Sequence, residues 1–288
     1  MWEIDENRNG EIMASAKTIA VIGVGKLGEA VITGLIGPGK WQSDAIVGTV
    51  HHEKSIERVK GRLNIQVGTN NIDAIKNKDI VIIAVKPQNM DHVLREIAPA
   101  IDKKQLVISC ATSVTTAYME ERLPEGSAVI RAMPNTPSLL QAGMTALCTG
   151  QNASKDDADT AEAIFKSVGE TAFVDEHLMD GVTALSASGP AYFYVVVESL
   201  AEAGVKLGLP RETSTLLVSQ TMLGAAKMLL SSRSHPALLK DTVTTPAGCT
   251  IDGLMELEEG KLRVTLIKAV LKAAERARDL VNTQTAAK

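Results

Sequence analysis

Three groups of residues have types and spacings that could do chemistry. The first is Gly23-Val24-Gly25-Lys26-Leu27-Gly28, a GxGxxG pattern between an apolar run and a helical stretch. In that context Gly23 permits a tight turn, Gly25 lets the backbone approach a pyrophosphate, and Gly28 lets helix pack on strand. The helix N-terminus then offers N–H donors to the anion. An NAD site usually places Asp or Glu about 20 residues further on, for the ribose 2′-hydroxyl. Here the region reads Thr49-Val50-His51-His52-Glu53-Lys54. A hydroxyl and imidazoles from Thr49, His51 and His52 suit a 2′-phosphate, so NADPH is the expected cofactor, with NADH also admitted.

The second group stands at the ends of apolar runs. Val85-Lys86-Pro87 closes one, Ala111 lies just past another, and Met133-Pro134-Asn135-Thr136-Pro137 follows a third. Open α/β sheets bind ligands at such C-terminal strand ends. Two prolines around Asn135 stiffen the segment as a nicotinamide platform requires, although a rigid turn without a ligand reads the same. The third group is Thr245-Pro246-Ala247-Gly248-Cys249-Thr250, small residues leading into a helix that begins near Thr250. Free N–H groups and hydroxyls there suit a carboxylate, and by spacing alone also suit an ordinary helix start.

Other chemistry is missing. The chain has no HExxH and no GxSxG, and its histidines are scattered at positions 51, 52, 92, 177 and 235. Cys110, Cys148 and Cys249 are odd in number and widely spaced, so free thiols, a reducing cytoplasmic location and no metal are expected. A net charge of −4 and only 3% aromatic residues leave no basic surface and few stacking platforms for nucleic acid. No apolar run approaches the ~18–20 residues that span a bilayer. Residues 1–16 are polar and acidic, unlike a signal peptide, and read as a loose tail.

The elements that must position these groups follow from periodicity. Apolar, β-branched runs at 18–22, 45–50, 79–85, 106–109, 128–130, 145–147 and 171–174 alternate with helical stretches. That pattern predicts a mostly parallel sheet covered on both faces, a doubly wound α/β domain over 17–175. From 176 to 288 the chain turns Ala-, Leu-, Glu- and Lys-rich, which predicts an all-helical domain. Breaks fall at Ser188-Gly189-Pro190, Leu209-Pro210 and Thr245-Pro246. Residues 214–230 carry apolar side chains on more than one face, so burial within an intertwined homodimer is expected.

The segments 245–254, 186–192 and 204–210 closely resemble those of the pyrroline-5-carboxylate reductase family. The resemblance extends through Val85-Lys86-Pro87, 131–137, 220–229 and His235-Pro236, nearly everything past the tail. It implies a Rossmann domain followed by a helical dimerisation domain, with hydride transfer from NADPH or NADH to a cyclic imine. It also implies homodimers, assembled into larger rings in some members. Carried over by position, Thr250 matches the threonine whose hydroxyl contacts the pyrroline nitrogen. Thr245, Ala247, Gly248 and Cys249 match the loop that holds the substrate carboxylate.

The chain departs from the family's pattern in two places. The family commonly has Ser-Pro-Gly-Gly at 245–248 and Ser-Gly-Ser-Gly-Pro at 186–190. The added methyl groups bear on which imine is accepted. An imine reductase and a non-catalytic NADP-binding dimer are the competing readings. Hydroxyacid dehydrogenases share the two-domain layout, but they need a lysine where residues 176–205 have none.

Overall fold

The structure, a computed structural model, describes residues 17–39 and 41–286; the tail at 1–16 lies outside them. Eight strands form one sheet: β1 Ile19–Ile22, β2 Ile46–Thr49, β3 Gln66–Gly68, β4 Ile80–Ile83, β5 Leu106–Ser109, β6 Ala128–Met133, β7 Gly143–Thr149 and β8 Gly169–Phe173. Their order is β3-β2-β1-β4-β5-β6-β7-β8, and the strand order reverses between β1 and β4. A ligand crevice opens at such a reversal.

The central strands β1, β4, β5 and β6 form because both of their faces are buried. Alternate residues supply two cores. Ile19, Val21, Ile80, Ile82 and Ile108 pack against helices α1 (Lys26–Ile36) and α2 (Ile56–Leu63). Ala20, Ile22, Val81, Ile83 and Val107 pack on the other face. There they meet α3 (Asn71–Ile75), α4 (Met90–Ile97) and α5 (Thr116–Glu120). Each such Val or Ile side chain, fully buried, contributes about 2 kcal/mol before chain entropy is counted. Helix α6 (Lys155–Lys166) connects β7 to β8, which pair in parallel.

One pairing breaks the parallel pattern: β6 and β7 are antiparallel, with Arg131 opposite Cys148. A parallel crossover needs about a dozen residues or more, and the link from Met133 to Gly143 is too short for one.

The chain divides into two compact units. One runs up to Ala187 and takes in the chain from Ala273 onward; the other is Ser188–Lys272. Residues 176–187 group with the first unit because they pack on the β6–β7 face. Helix α7 (Met179–Val182) buries Met179 against Met133, Ala146 and Cys148, and a π-helical turn, Thr183–Ala187, follows it. The last helix of the chain begins at Leu262 and runs on into the first unit as far as Ala286.

The second unit contains α8 (Gly189–Lys206), α9 (Arg211–Ser232), α10 (Pro236–Thr242), α11 (Cys249–Glu259) and the start of α12 (Leu262–Ala286). Helices α8 and α9 form a close αα-hairpin. Gly208, at φ +96°, ends the first, and a Cβ at Gly204 would come within 2.6 Å of the Ser214 hydroxyl. Arg211 binds Glu202 with both guanidinium nitrogens, at 2.6 and 3.2 Å. Yet this unit buries little: Leu207 is 84% exposed, Leu230 73% and Tyr194 66%.

Candidate active site

The chain turns sharply after β1. Gly23 has φ +87°, and a Cβ there would lie 2.6 Å from Val85 Cγ1. Only glycine fits that approach. Its N–H donates to the Thr49 carbonyl at 3.2 Å and to the Thr49 hydroxyl at 3.3 Å, which joins the β1 and β2 ends. Gly25 is the N-cap of α1 and has open space where its side chain would be; no side chain caps the helix. The first-turn N–H groups are therefore free for an anion. Lys26 is exposed beside them and Leu27 packs on the core. At Gly28 a Cβ would meet the Gly23 carbonyl at 3.1 Å.

Beside this turn lies a cavity of about 570 Å³, lined by Gly23, Thr49, His51, Asn71, Val85 and Glu96 among others. Its polar wall is internally bonded. The Thr49 hydroxyl donates to Asn71 Oδ1 at 2.8 Å, and Asn71 Nδ2 donates to Glu96 Oε2 at 2.9 Å. Thr49 thus braces the wall with a hydroxyl engaged on both sides. His51 lines the cavity; His52 does not, and both are exposed with ring centroids 4.4 Å apart. Sequence reasoning missed Asn71 and Glu96, whose only signal is their place on the helices after β3 and β4. It also missed Glu29, which pairs with Arg58 at 2.7 Å and Arg62 at 2.9 Å. Those arginines offset a carboxylate that otherwise opposes an anion at the same helix end.

The ends of β4, β5 and β6 bring the other expected cofactor residues to one edge of the sheet. Val85 lines the cavity, and Lys86 precedes a short turn, Pro87–Asn89, into α4. Ala111 is buried, its N–H donating to Ser109 Oγ at 3.2 Å. Met133 and Pro134 are buried beyond it. The Asn135 amide is held from both ends: its nitrogen donates to the Ser186 carbonyl at 3.3 Å, and its oxygen accepts from the Met144 N–H at 2.9 Å. Asn135 therefore shapes the platform.

Below that platform Arg131, 2% exposed, donates from Nη1 to Glu176 Oε1 at 2.7 Å. Glu176 Oε2 accepts from both the N–H and the hydroxyl of Thr116. Burial alone would raise the Glu176 pKa, but the bonds from Thr116 and Arg131 outweigh it and hold the carboxyl below its ordinary value. Burial pushes the thiols of Cys110 and Cys148 up to about 12, so both stay protonated and unreactive. Among the described residues no cluster of His, Cys, Asp and Glu could hold a metal.

In the second unit the 245–250 loop is shaped by one unusual residue. Ala247 has φ +57°, a left-handed conformation that a residue with a Cβ rarely adopts. The Gly248 N–H donates to the Thr245 carbonyl at 3.0 Å, and any Cβ on Gly248 would collide with the Thr245 hydroxyl. Helix α11 then starts at Cys249 with no side-chain cap, leaving its first N–H groups available around half-buried Thr250. Cys249 and Thr245 are exposed.

A glycine turn opening an uncapped helix, at the reversal point of a doubly wound sheet, defines a dinucleotide-dependent oxidoreductase. Residues 18–113 accordingly match the family described as "NADP oxidoreductase coenzyme F420-dependent". Residues 176–280 match "Pyrroline-5-carboxylate reductase dimerisation". A pyrroline-5-carboxylate reductase of Methanosarcina acetivorans is 40% identical over 91% of this chain and 97% of its own length. Among solved structures, one from Coxiella burnetii has a TM-score of 0.88 at 37% identity, covering 92% and 99% of the two chains. The Plasmodium falciparum enzyme, solved with NADP bound, has a TM-score of 0.83 at 30% identity, covering 92% and 98%. The chain belongs to the pyrroline-5-carboxylate reductase family.

Proposed function

We propose that this chain reduces pyrroline-5-carboxylate to proline, the last step of proline synthesis, as a cytoplasmic homodimer that prefers NADPH. The observation that carries this reading is the uncapped first turn of α11, opening on Thr250, in a chain with an equally open dinucleotide turn at Gly25. Bound NADPH supplies the hydride, which adds to the imine carbon as the ring nitrogen gains a proton. The free N–H groups at the α1 start hold the pyrophosphate. His51, His52 and Lys54 would meet the 2′-phosphate. The N–H groups of Gly248, Cys249 and Thr250, with the Thr245 hydroxyl, hold the substrate carboxylate.

Thr250 is too weak an acid to protonate the nitrogen at its normal pKa, so its hydroxyl orients the ring. The proton comes from an iminium protonated beforehand or from water. Holding the two rings at attack distance then supplies much of the acceleration. Free thiols at Cys110, Cys148 and Cys249 fit a reducing compartment, and among the described residues no helix is long and apolar enough to cross a membrane. The exposed α8–α9 face fits a second copy of the chain, and solution mass distinguishes a dimer from multiples of it.

The test follows NADPH and NADH oxidation with pyrroline-5-carboxylate, then with six-membered and carboxylate-free imines. No oxidation with the first substrate overturns the reading. A preference for a different ring favours an imine reductase, the alternative that the Ala247 methyl supports. Binding of NADPH without oxidation by any imine marks a non-catalytic dimer. Thr250→Val is expected to lower turnover by about tenfold or more while NADPH affinity holds, as loss of one orienting hydrogen bond implies.

A further inference from the structure

Glu176 follows β8, far in sequence from every glycine of the dinucleotide turn, yet its two oxygens gather donors from strands β6 and β7 and from the start of α5. One donor is Arg131 Nη1, two residues ahead of the Met133-Pro134-Asn135 platform on β6. The others are the N–H of Thr116, at 3.1 Å, its hydroxyl and, more weakly, the Cys148 thiol on β7 at 3.7 Å. Thr116 opens α5 and closes the loop that carries Ala111 beyond β5. A contact of 3.9 Å from the Thr112 hydroxyl to the Met133 sulfur adds only a weak link between the two loops.

The pyrophosphate belongs at the start of α1, and the adenosine half in the cavity on the β2 side. The nicotinamide half must then extend across the ends of β4, β5 and β6. Glu176 links the strand that leads into the β6 member of that set, through Arg131, to the helix start that closes the β5 member, at Thr116. Residues 176–187 are tied to the same platform at their far end, where Asn135 donates to the Ser186 carbonyl.

The choice of a charged pair is informative. Arg131 is buried, and its Nε and Nη2 have no hydrogen-bond partner among the described residues, so Glu176 is its compensating charge. A buried ion pair is a poor source of net stability compared with apolar packing, but its hydrogen bonds are directional and short. We infer that Glu176 is a positioning residue for hydride transfer: its carboxylate sets the spacing of the Ala111 and Met133–Asn135 loops that hold the nicotinamide end of the dinucleotide.

This inference rests on the reading of the chain as an NADPH-dependent reductase. Its test compares Glu176→Gln and Thr116→Val with the unaltered chain, using two ligands. NADPH spans both halves of the site, whereas adenosine 2′,5′-bisphosphate carries only the adenosine half. In Glu176→Gln the affinity for the bisphosphate should hold while that for NADPH weakens, and turnover should fall by about tenfold or more, as misplacement of reacting groups implies. The isotope effect with 4-deuterated NADPH should rise.

Thr116→Val should move the same quantities in the same direction by less, without leaving a buried charge uncompensated, and it decides the matter if Glu176→Gln does not fold. Equal weakening of both ligands would mean general loosening of the fold and overturn the inference. So would unchanged NADPH affinity and turnover in both variants. If the unaltered chain reduces no imine, the reductase reading fails, while the two-ligand comparison still reads what Glu176 does to the nicotinamide half.

Discussion

The two units of the chain handle apolar surface in opposite ways. In the first, β1, β4, β5 and β6 are buried along their whole length and helices close both faces. In the second, Ala201 and Ser214 are buried at the α8–α9 contact while Phe193, Leu200, Leu217 and Leu229 line an open apolar groove of about 690 Å³. The first unit is self-sufficient; the second carries the apolar content of a core without the core. Large exposed patches of this kind mark association surfaces.

The largest effect should come from the second unit. Leu217→Glu places a charge in the groove and should cost about 3 kcal/mol or more, two orders of magnitude in association. Sedimentation should show a smaller species with activity lost, while NADPH affinity, a property of the first unit, persists. A variant that still sediments as wild type would break the contrast.

Next is Gly23→Ala, which should leave the assembly intact and damage the first unit locally. The left-handed backbone costs about 1–2 kcal/mol for a residue with a Cβ, and crowding against Val85 adds to it. Fluorescence titration should show NADPH binding weakened by about tenfold or more.

A smaller effect concerns acid stability. The Glu176 carboxyl is held below its ordinary value in the folded chain, so its contribution is complete above the unfolded pKa of about 4.3. It is lost as pH falls through the folded value. Thermal melts between about pH 6 and pH 3 should therefore fall less steeply for Glu176→Gln than for the unaltered chain. Parallel slopes would remove Glu176 from the acid response.

The smallest effect should be at Ala247→Gly. Relief of the left-handed strain, about 1 kcal/mol, is largely offset by the greater entropy of glycine in the unfolded chain. The melting temperature should barely move, and a change in the Michaelis constant for the imine would locate the methyl group at the substrate.

How much of this was legible in the sequence depended on locality. The glycine turn, the buried central strands and a helix start expected near Thr250 are written in runs of neighbouring residues, and each appears within a few residues of where the pattern placed it. Strand β3 is three half-exposed residues without an apolar run, so nothing local announced it. The antiparallel β6–β7 pair follows from the length of a linker. The Arg131–Glu176 pair joins residues 45 apart, and no spacing rule covers that distance. Thr49 was found by position, but its engagement by Asn71 depends on a helix start 22 residues away.

Helix α12 belongs to both units, and this has a consequence for the order in which the molecule is made. Its early part groups with the helical unit, and from Ala273 it completes the sheet unit, where Ala277 is buried and Arg278 lies 3.9 Å from Asp180. Synthesis proceeds from the N-terminus, so the piece that finishes the first unit is delivered after the whole of the second. The cofactor-binding half is therefore closed last, by a segment that has already passed through the half with the open apolar groove.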